Sequence, residues 1–257
     1  MTTFHLDKFL SGHVFAFVLV FSRVGSILML FPGIGESYVS TRIRLMLAFM
    51  VSFLIMGPLL PRIPQPPESI SALTLMVGYE VVIGLFFGTM LRLIMSTLES
   101  AGSVIALQTG LSNATVLNPT MAAQSPLVSA FLTTAGTVLI FVTGLDAVLL
   151  RSLAGIYDLF PIGGQMIPGD MAQTIIQMTN RSFVLGTELA MPFLIIGLLM
   201  YIALGVIQKL LPQVQLFLVV LPVQIWGGLA LLSITMAGIM TYWLRYFDAS
   251  VGTIFGR

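Results

Sequence analysis

Residues 183–208 read FVLGTELAMPFLIIGLLMYIALGVIQ and carry a single charged side chain, that of Glu188. The hydrocarbon core of a bilayer is about 30 Å thick, and a helix needs about 20 mostly apolar residues to cross it. This stretch meets that requirement and predicts a transmembrane helix. Five further apolar runs cover residues 14–31, 45–60, 70–93, 126–150 and 214–243. The pattern predicts an all-α, polytopic membrane protein in which residues 1–257 form a single integral membrane domain.

The composition of the whole chain favours the same fold class. Hydrophobic residues make up 57% and charged residues 8% of the 257 residues, and the mean hydropathy is +1.03. Soluble domains carry about 25% charged residues, so lipid or an apolar partner must cover much of this surface. The net charge of +1 gives no reason to expect a nucleic-acid partner. Residues 14–31 include Arg23 and no cleavage motif follows them, so we expect a retained helix rather than a signal peptide.

Residue types that support catalysis or metal binding are scarce. The chain has no cysteine, and its two histidines, His5 and His13, both lie near the N-terminus. Thiolate clusters and histidine-rich metal or haem sites are therefore excluded. The sequence also has no P-loop, no H-E-x-x-H and no G-x-S-x-G motif. We predict a protein that is not an enzyme and that has no cofactor.

Four ionisable side chains interrupt the apolar runs away from their last two residues: Arg23, Glu80, Asp146 and Glu188. A charge at mid-helix costs about 2.5–3.5 kcal/mol on insertion scales, so each of them needs a compensating interaction. Each is compatible with a polar path through the protein or with one half of a buried ion pair between helices. Arg23 and Glu80 can pair with each other, which would give both a structural role.

Proline and glycine mark where helices end, bend or approach one another. Residues 58–67 contain five prolines and form a rigid connector that ends the second apolar run. Gly84 and Gly88 form a G-x-x-x-G pattern, a signal of close helix packing that is also common by chance. We assign helix kinks to three prolines in the later part of the chain: Pro192, Pro212 and Pro222.

The segment 96–124 is small, polar and rich in glycine, yet nearly uncharged. It is too polar for an ordinary membrane helix and too uncharged for an ordinary loop. Gly110 permits backbone conformations that break a helix, and Asn118-Pro119 favours a turn. Non-helical backbone at membrane depth is tolerated only inside protein or along a water-filled cavity. The segment is therefore either a re-entrant loop that lines or obstructs a pore, or an ordinary extramembrane loop.

Four blocks of sequence follow one another along the chain. Each block alone is a weak signal, but the four in this order form a more specific pattern. They are R-V-G with F-P-G-I-G and R-I-R at residues 23–44, Q-T-G-L-S-x-A with N-P and Gln124 at 108–124, Gly144 with L-L and F-P-x-G at 144–163, and L-A-M-P with L-P-Q-V-Q-L-F and L-P at 189–222. This arrangement resembles the FliR/SctT family of export-gate subunits of type III secretion systems, and the overall pattern is closer to its flagellar members. This chain departs from the family at three polar positions. The family usually has Asp-Pro where this chain has Asn118-Pro119, and Gly-His where this chain has Gly144-Leu145-Asp146. It often has a Lys after the proline where this chain has Pro222-Val223-Gln224.

The resemblance implies one subunit, built of kinked helical hairpins, in a helical and closed export-gate channel. Its implied partners are FliP-type and FliQ-type subunits, FlhB-type and FlhA-type proteins, membrane lipid and exported unfolded polypeptides. The implied location is the bacterial inner (cytoplasmic) membrane at the flagellar basal body. Charged residues assigned to assembly within the membrane are Arg23, Arg42, Arg44, Glu80, Asp146 and Glu188. Residues assigned to a plug of the pore are Gly110, Leu111, Ser112, Asn113, Ala114, Thr115, Val116, Leu117, Asn118 and Pro119.

Three hypotheses of function are compatible with these features. The first is a subunit of the flagellar protein-export gate, which would need its partners to be stable. The second is a small secondary transporter that binds substrate at broken transmembrane helices, acts alone, and depends on Glu80 or Glu188. The third is a scaffolding subunit of another membrane complex.

Overall fold

The computed structural model describes residues 6–112, 127–164, 168–210 and 216–256. Within these ranges the chain forms helices and turns and contains no strand. The helices are α1 (Leu6–Leu30), α2 (Thr41–Leu59), α3 (Ile70–Gln108), α4 (Leu127–Val142), α5 (Leu145–Leu159), α6 (Pro168–Leu210) and α7 (Leu216–Ile254), and a 3-10 turn covers Leu60–Arg62. The predicted all-α fold class is confirmed.

The long helices have the length and composition of membrane spans. Among the described residues, α1, α2, α3, α6 and α7 each qualify, and α4 with α5 counts as a sixth span when the two are taken together. Only 17% of the apolar window of α6 and 6% of that of α7 is buried within the chain. The chain is thus a polytopic membrane protein, and most of the apolar surface of these two helices is left for lipid or for other subunits.

Two helix boundaries predicted from the sequence were wrong. The apolar run 70–93 was expected to end before residue 96, where the chain is too polar for an ordinary membrane helix, but α3 continues without a break to Gln108. Within it the Ser103 hydroxyl donates to the carbonyl oxygen of Glu99 at 2.8 Å, and the Ser129 hydroxyl of α4 donates to the same oxygen at 2.9 Å. The run 126–150 was expected to be one helix, but it divides at Gly144, whose φ of +73° is incompatible with a continuing α-helix.

The chain divides into two compact units. The first contains the described parts of Met1–Leu93, Gly144–Gln177 and Ala249–Arg257. Its aromatic core has Phe87 at the centre, with ring centroids 5.6 Å from Phe160 and 5.6 Å from Phe255. The proline-rich connector ends α2 as predicted, because α2 closes at Leu59 and the 3-10 turn at Arg62.

The G-x-x-x-G pattern of α3 packs directly against α1 in the first unit. A Cβ atom on Gly84 would overlap Ser26 Oγ and the carbonyl oxygen of Arg23. One turn later, a Cβ atom on Gly88 would lie 2.9 Å from Leu30 Cβ. The close-packing interpretation of these two glycines is therefore confirmed.

Replacing Gly84 with alanine is expected to destabilise the chain by about 1–3 kcal/mol, because α1 and α3 must move apart. Gly78→Ala in the same helix is the matched control, since a Cβ atom there has nothing within 4 Å. That control should be neutral or stabilising by up to about 1 kcal/mol, the gain in helix propensity. Thermal unfolding of the two purified variants measures the difference, and equal midpoints would contradict the packing assignment.

The second unit contains the described parts of Ile94–Thr143 and Met178–Asp248. Trp243 of α7 is fully buried in it and its indole N–H donates to the carbonyl oxygen of Ile94 at 3.4 Å. Gly136 of α4 makes room for this ring, since a Cβ atom there would lie 3.1 Å from Trp243 Cη2. Gly102 of α3 does the same for α4, with a Cβ position 2.6 Å from the backbone nitrogen of Ser129. Small residues therefore set the short distances between helices in this unit.

Candidate functional site

Arg23 and Glu80 form a buried ion pair inside the first unit. Arg23 Nε lies 2.6 Å from Glu80 Oε2, and Arg23 Nη2 lies 3.1 Å from Glu80 Oε1. The two side chains are 0% and 2% exposed. A third donor, Arg23 Nη1, reaches the carbonyl oxygen of Phe160 at 2.7 Å, and the guanidinium lies 4.3 Å from the centre of the Tyr157 ring. The arginine thereby ties α1 to α3 and to the end of α5.

This geometry favours the structural interpretation of the pair over a polar path. Both carboxylate oxygens of Glu80 are engaged, and both side chains are closed off from solvent. A bidentate arginine–carboxylate pair holds a fixed geometry and leaves little capacity for transferring an ion or a proton. A role of Arg23 and Glu80 in assembly with other subunits stays a prediction.

The two other predicted arginines lie at the start of α2. Arg44 closes the turn between α1 and α2, because its Nη2 donates to the carbonyl oxygens of Glu36 at 3.0 Å and Val39 at 2.9 Å. The same turn needs Gly33, which has a φ of +78°. Arg42 is exposed at the beginning of the helix. Arg44 therefore stabilises the connection that follows Pro32, while Arg42 is free to face a partner or the membrane surface.

The remaining predicted site residues are placed separately. Asp146 lies in the first turn of α5, where a carboxylate is favoured by the helix dipole. Glu188 is exposed in the middle of α6. Pro192 and Pro222 both lie inside continuous helices, α6 and α7, and their assignment as kink sites stays a prediction. Pro212 lies outside the described residues.

The polar segment begins at a well-defined helix end in the second unit. α3 ends at Gln108, and Gly110 turns the chain with a φ of +73°. The Ser112 backbone N–H then donates back to the carbonyl oxygen of Ala106 at 3.2 Å. Gly110, Leu111 and Ser112 of the predicted plug are thus placed at this turn. The rest of the predicted plug lies outside the described residues: Asn113, Ala114, Thr115, Val116, Leu117, Asn118 and Pro119.

Two helices hold this turn in place. From α7, the Gln224 side-chain amide donates to the carbonyl oxygen of Gln108 at 2.8 Å, which satisfies an acceptor left free by the helix end. Gly228 of α7 lets Thr109 approach, since a Cβ atom on Gly228 would lie 2.6 Å from Thr109 Cβ. From α6, Gly197 accommodates the Gln108 side chain, with a Cβ position 3.0 Å from its Cδ. The segment 108–112, held by Gly197, Gln224 and Gly228, is hereafter the anchored turn.

Sequence reasoning missed the residues that hold the anchored turn. The sequence marks Gln224 only as a departure from the pattern of the FliR/SctT family, and its hydrogen bond to the Gln108 carbonyl oxygen gives the long amide a use there. Gly197 and Gly228 stand in long apolar helices, where a glycine has no local signature that tells which neighbour it admits.

Gly228→Ala is expected to displace Thr109 and destabilise the chain by about 1–3 kcal/mol. The neighbouring Gly227 supplies the control, because a Cβ atom on it meets nothing within 4 Å. Gly227→Ala should leave stability unchanged or raise it by up to about 1 kcal/mol. Thermal unfolding in detergent compares the two, and a Gly228→Ala variant as stable as Gly227→Ala would show that α7 does not hold the turn.

The chemistry available at the anchored turn is that of side-chain amides, two hydroxyl groups and backbone. Among the described residues, no group of three or more His, Cys, Asp or Glu side chains is placed to hold a metal ion. What the arrangement does provide is position: the chain leaves α3 at a fixed point and in a fixed direction. Fold and site together define a polytopic helical membrane protein in which a polar segment starts from a turn anchored between membrane helices.

Comparison with known proteins identifies the family. Residues 14–250 match the family described as bacterial export proteins, family 1. Flagellar biosynthetic protein FliR of Caulobacter vibrioides is 36% identical over 231 residues, which are 90% of this chain and 92% of that protein. FliR of Aquifex aeolicus is 31% identical over 90% of this chain and 89% of that protein, and FliR of Escherichia coli is 28% identical over 83% and 81%. This chain belongs to the bacterial export proteins, family 1, and it is a membrane subunit of a flagellar export apparatus.

Proposed function

We propose that this subunit forms part of the wall of the export-gate channel and that residues 110–119 plug that channel. The observation that carries the proposal is the anchored turn. Its three contacts, from Gly197, Gln224 and Gly228, fix the start of the polar segment between two membrane helices. A loop that obstructs a pore needs a fixed attachment to the surrounding helices, because a freely moving loop would not stay in the path of ions.

The proposed partners are FliP-type and FliQ-type subunits, with FlhB-type and FlhA-type proteins next to them in the bacterial inner membrane. Support comes from the uncovered apolar surface of α6 and α7, of which Ile234 at 80% and Trp226 at 77% exposure are examples. Surfaces of this kind require lipid or other helices as neighbours. In this proposal residues 1–257 act as one integral membrane domain that becomes a kinked helical hairpin subunit on assembly.

The proposed role is not enzymatic. The subunit lets unfolded polypeptides cross the membrane, and the driving energy comes from other components and from the proton-motive force. The ionisable residues of the spans serve packing and assembly in this proposal, as the arrangement of Arg23 and Glu80 supports.

Deleting the gene for this chain from its own bacterium tests the flagellar role. The expected result is a cell without flagellar filaments, in which a plasmid copy of the chain restores them. Any virulence-type secretion of the same cell should be unchanged. Cells that keep normal filaments after the deletion would contradict the proposal.

Transport by the isolated chain tests the transporter alternative. Purified chain is placed in liposomes without partners, and the uptake of labelled small solutes is measured with and without an ion gradient. The proposal expects no gradient-dependent uptake. Uptake that disappears in a Glu188→Gln variant would favour a secondary transporter instead.

A further inference from the structure

The middle of α6 carries a carboxylate that has no partner in the second unit. Glu188 lies near the centre of the 43-residue helix, and its side chain is exposed. It lines a groove of about 390 Å³ whose walls are α6 and α7. The ion pairs among the described residues join other side chains and do not include Glu188. Glu188 stands inside the apolar stretch 183–208, where a carboxylate without a partner is costly, so its neighbour is expected to come from outside the chain.

Pro192 adds a second acceptor to the same groove. Proline has no backbone N–H, so the carbonyl oxygen of Glu188, four residues earlier, lacks its usual helix hydrogen bond. Both residues line the groove, and none of the other described residues that line it is basic. The hydroxyl group of Thr235 donates within its own helix, to the carbonyl oxygen of Leu231 at 2.8 Å. The groove thus presents a negative charge and a free carbonyl group, and it lacks a cationic donor.

The α7 wall of the groove forms an open, exposed stripe against which a neighbouring helix can pack. Ile234, Gly238 and Tyr242 of α7 follow one another at intervals of four residues, so they form one stripe on the helix. Ile234 is 80% and Tyr242 is 53% exposed. A Cβ atom on Gly238 would meet nothing within 4 Å, so the middle of the stripe is open. The stripe is about 12 Å long, which corresponds to about two turns of a neighbouring helix.

We propose that this groove receives a transmembrane helix of another subunit of the export apparatus, and that a Lys or Arg on that helix binds the carboxylate and the free carbonyl oxygen of Glu188. The proposal rests on the proposed function, because it needs an assembly partner. A cationic side chain supplies both the charge and the several donors that these two acceptors call for. A lipid tail fills an apolar groove equally well, but it offers neither a charge nor a hydrogen-bond donor.

Charge variants test the proposal in the assembled complex. The chain is co-expressed with its FliP-type and FliQ-type partners, and the amount of complete complex is measured by native mass spectrometry. Glu188→Lys is expected to lower the yield on the order of 30-fold, and Glu188→Gln by a smaller factor, since a buried charge loses its partner. Glu68→Lys and Glu68→Gln are the controls, because Glu68 lies in the connector between α2 and α3, and they should assemble normally. The amount of chain inserted in the membrane is measured alongside to exclude loss of folding.

Photo-crosslinking identifies the occupant. A photoreactive amino acid at position 238 is expected to crosslink to a partner helix that carries Lys or Arg within one turn of the linked site. Replacing that residue with Glu should then restore assembly of Glu188→Lys. Crosslinks only to lipid, or to a helix without Lys or Arg, would overturn the proposal, as would normal assembly of Glu188→Lys. If the unmodified chain does not assemble with these partners at all, the proposed function fails rather than the assignment of the groove.

Discussion

Replacing Glu80 with alanine is expected to lower the free energy of unfolding of the purified chain by about 3–5 kcal/mol. The reason is that Arg23 is 0% exposed and would keep its charge without the carboxylate that neutralises it. The remaining contacts of Arg23, to the carbonyl oxygen of Phe160 and the ring of Tyr157, carry no negative charge. Reversible unfolding in mixed detergent, followed by circular dichroism, measures the loss.

The exposed pair of Arg62 and Asp158 is the matched control for this prediction. Its side chains are 62% and 66% exposed, so water already solvates both charges. Arg62→Ala is expected to cost less than about 1 kcal/mol. A double variant with methionine at both position 23 and position 80 should recover much of the loss, because it leaves no buried charge. If Glu80→Ala costs no more than Arg62→Ala, the buried pair does not stabilise the first unit.

Deleting residues 113–118 is expected to make the assembled channel leak ions while leaving assembly intact. The deletion removes most of the proposed plug but spares the anchored turn, so the contacts of Gln224 and Gly228 remain. Conductance of the complex in planar bilayers measures the leak, and native mass spectrometry checks that the complex is complete.

A complex that carries Gly227→Ala serves as the control for the leak. That substitution lies on α7 near the anchored turn but meets no neighbouring atom within 4 Å. It should conduct no more than the unmodified complex. A complete complex that lacks residues 113–118 and stays as tight as this control would show that the segment does not close the pore.

The helices were predictable from hydropathy alone because each apolar run is long and most breaks fall at proline or glycine. The wrong boundary at residue 96 has a physical origin. The hydrophilic appearance of residues 96–108 suggested a loop, but polar side chains such as Ser103 bond to helix carbonyls, and Ser129 supplies a partner from 30 residues away. Local composition cannot report a partner so distant in sequence.

The candidate site was predictable in part, where charged residues stand out in an apolar sequence. Arg23 and Glu80 stood out because a charge within an apolar run needs a partner of opposite charge, and few such partners exist in this chain. The structure places the two side chains in contact. The contacts of Gly197 and Gly228 were not predictable, since a glycine in a helix is equally compatible with a close neighbour and with open lipid. Gly227 and Gly228 illustrate this, because they are adjacent in sequence and only the second meets another helix.

The proposed role as an export-gate subunit is tested by the mass of the complex that this chain forms with FliP-type and FliQ-type proteins. The three proteins are co-expressed, extracted in mild detergent and measured by native mass spectrometry, with the chain expressed alone as the control. We predict one discrete assembly that contains all three proteins, and a chain that is less stable when it is alone than in that assembly. A well-behaved monomer or homodimer that ignores both partners would contradict it.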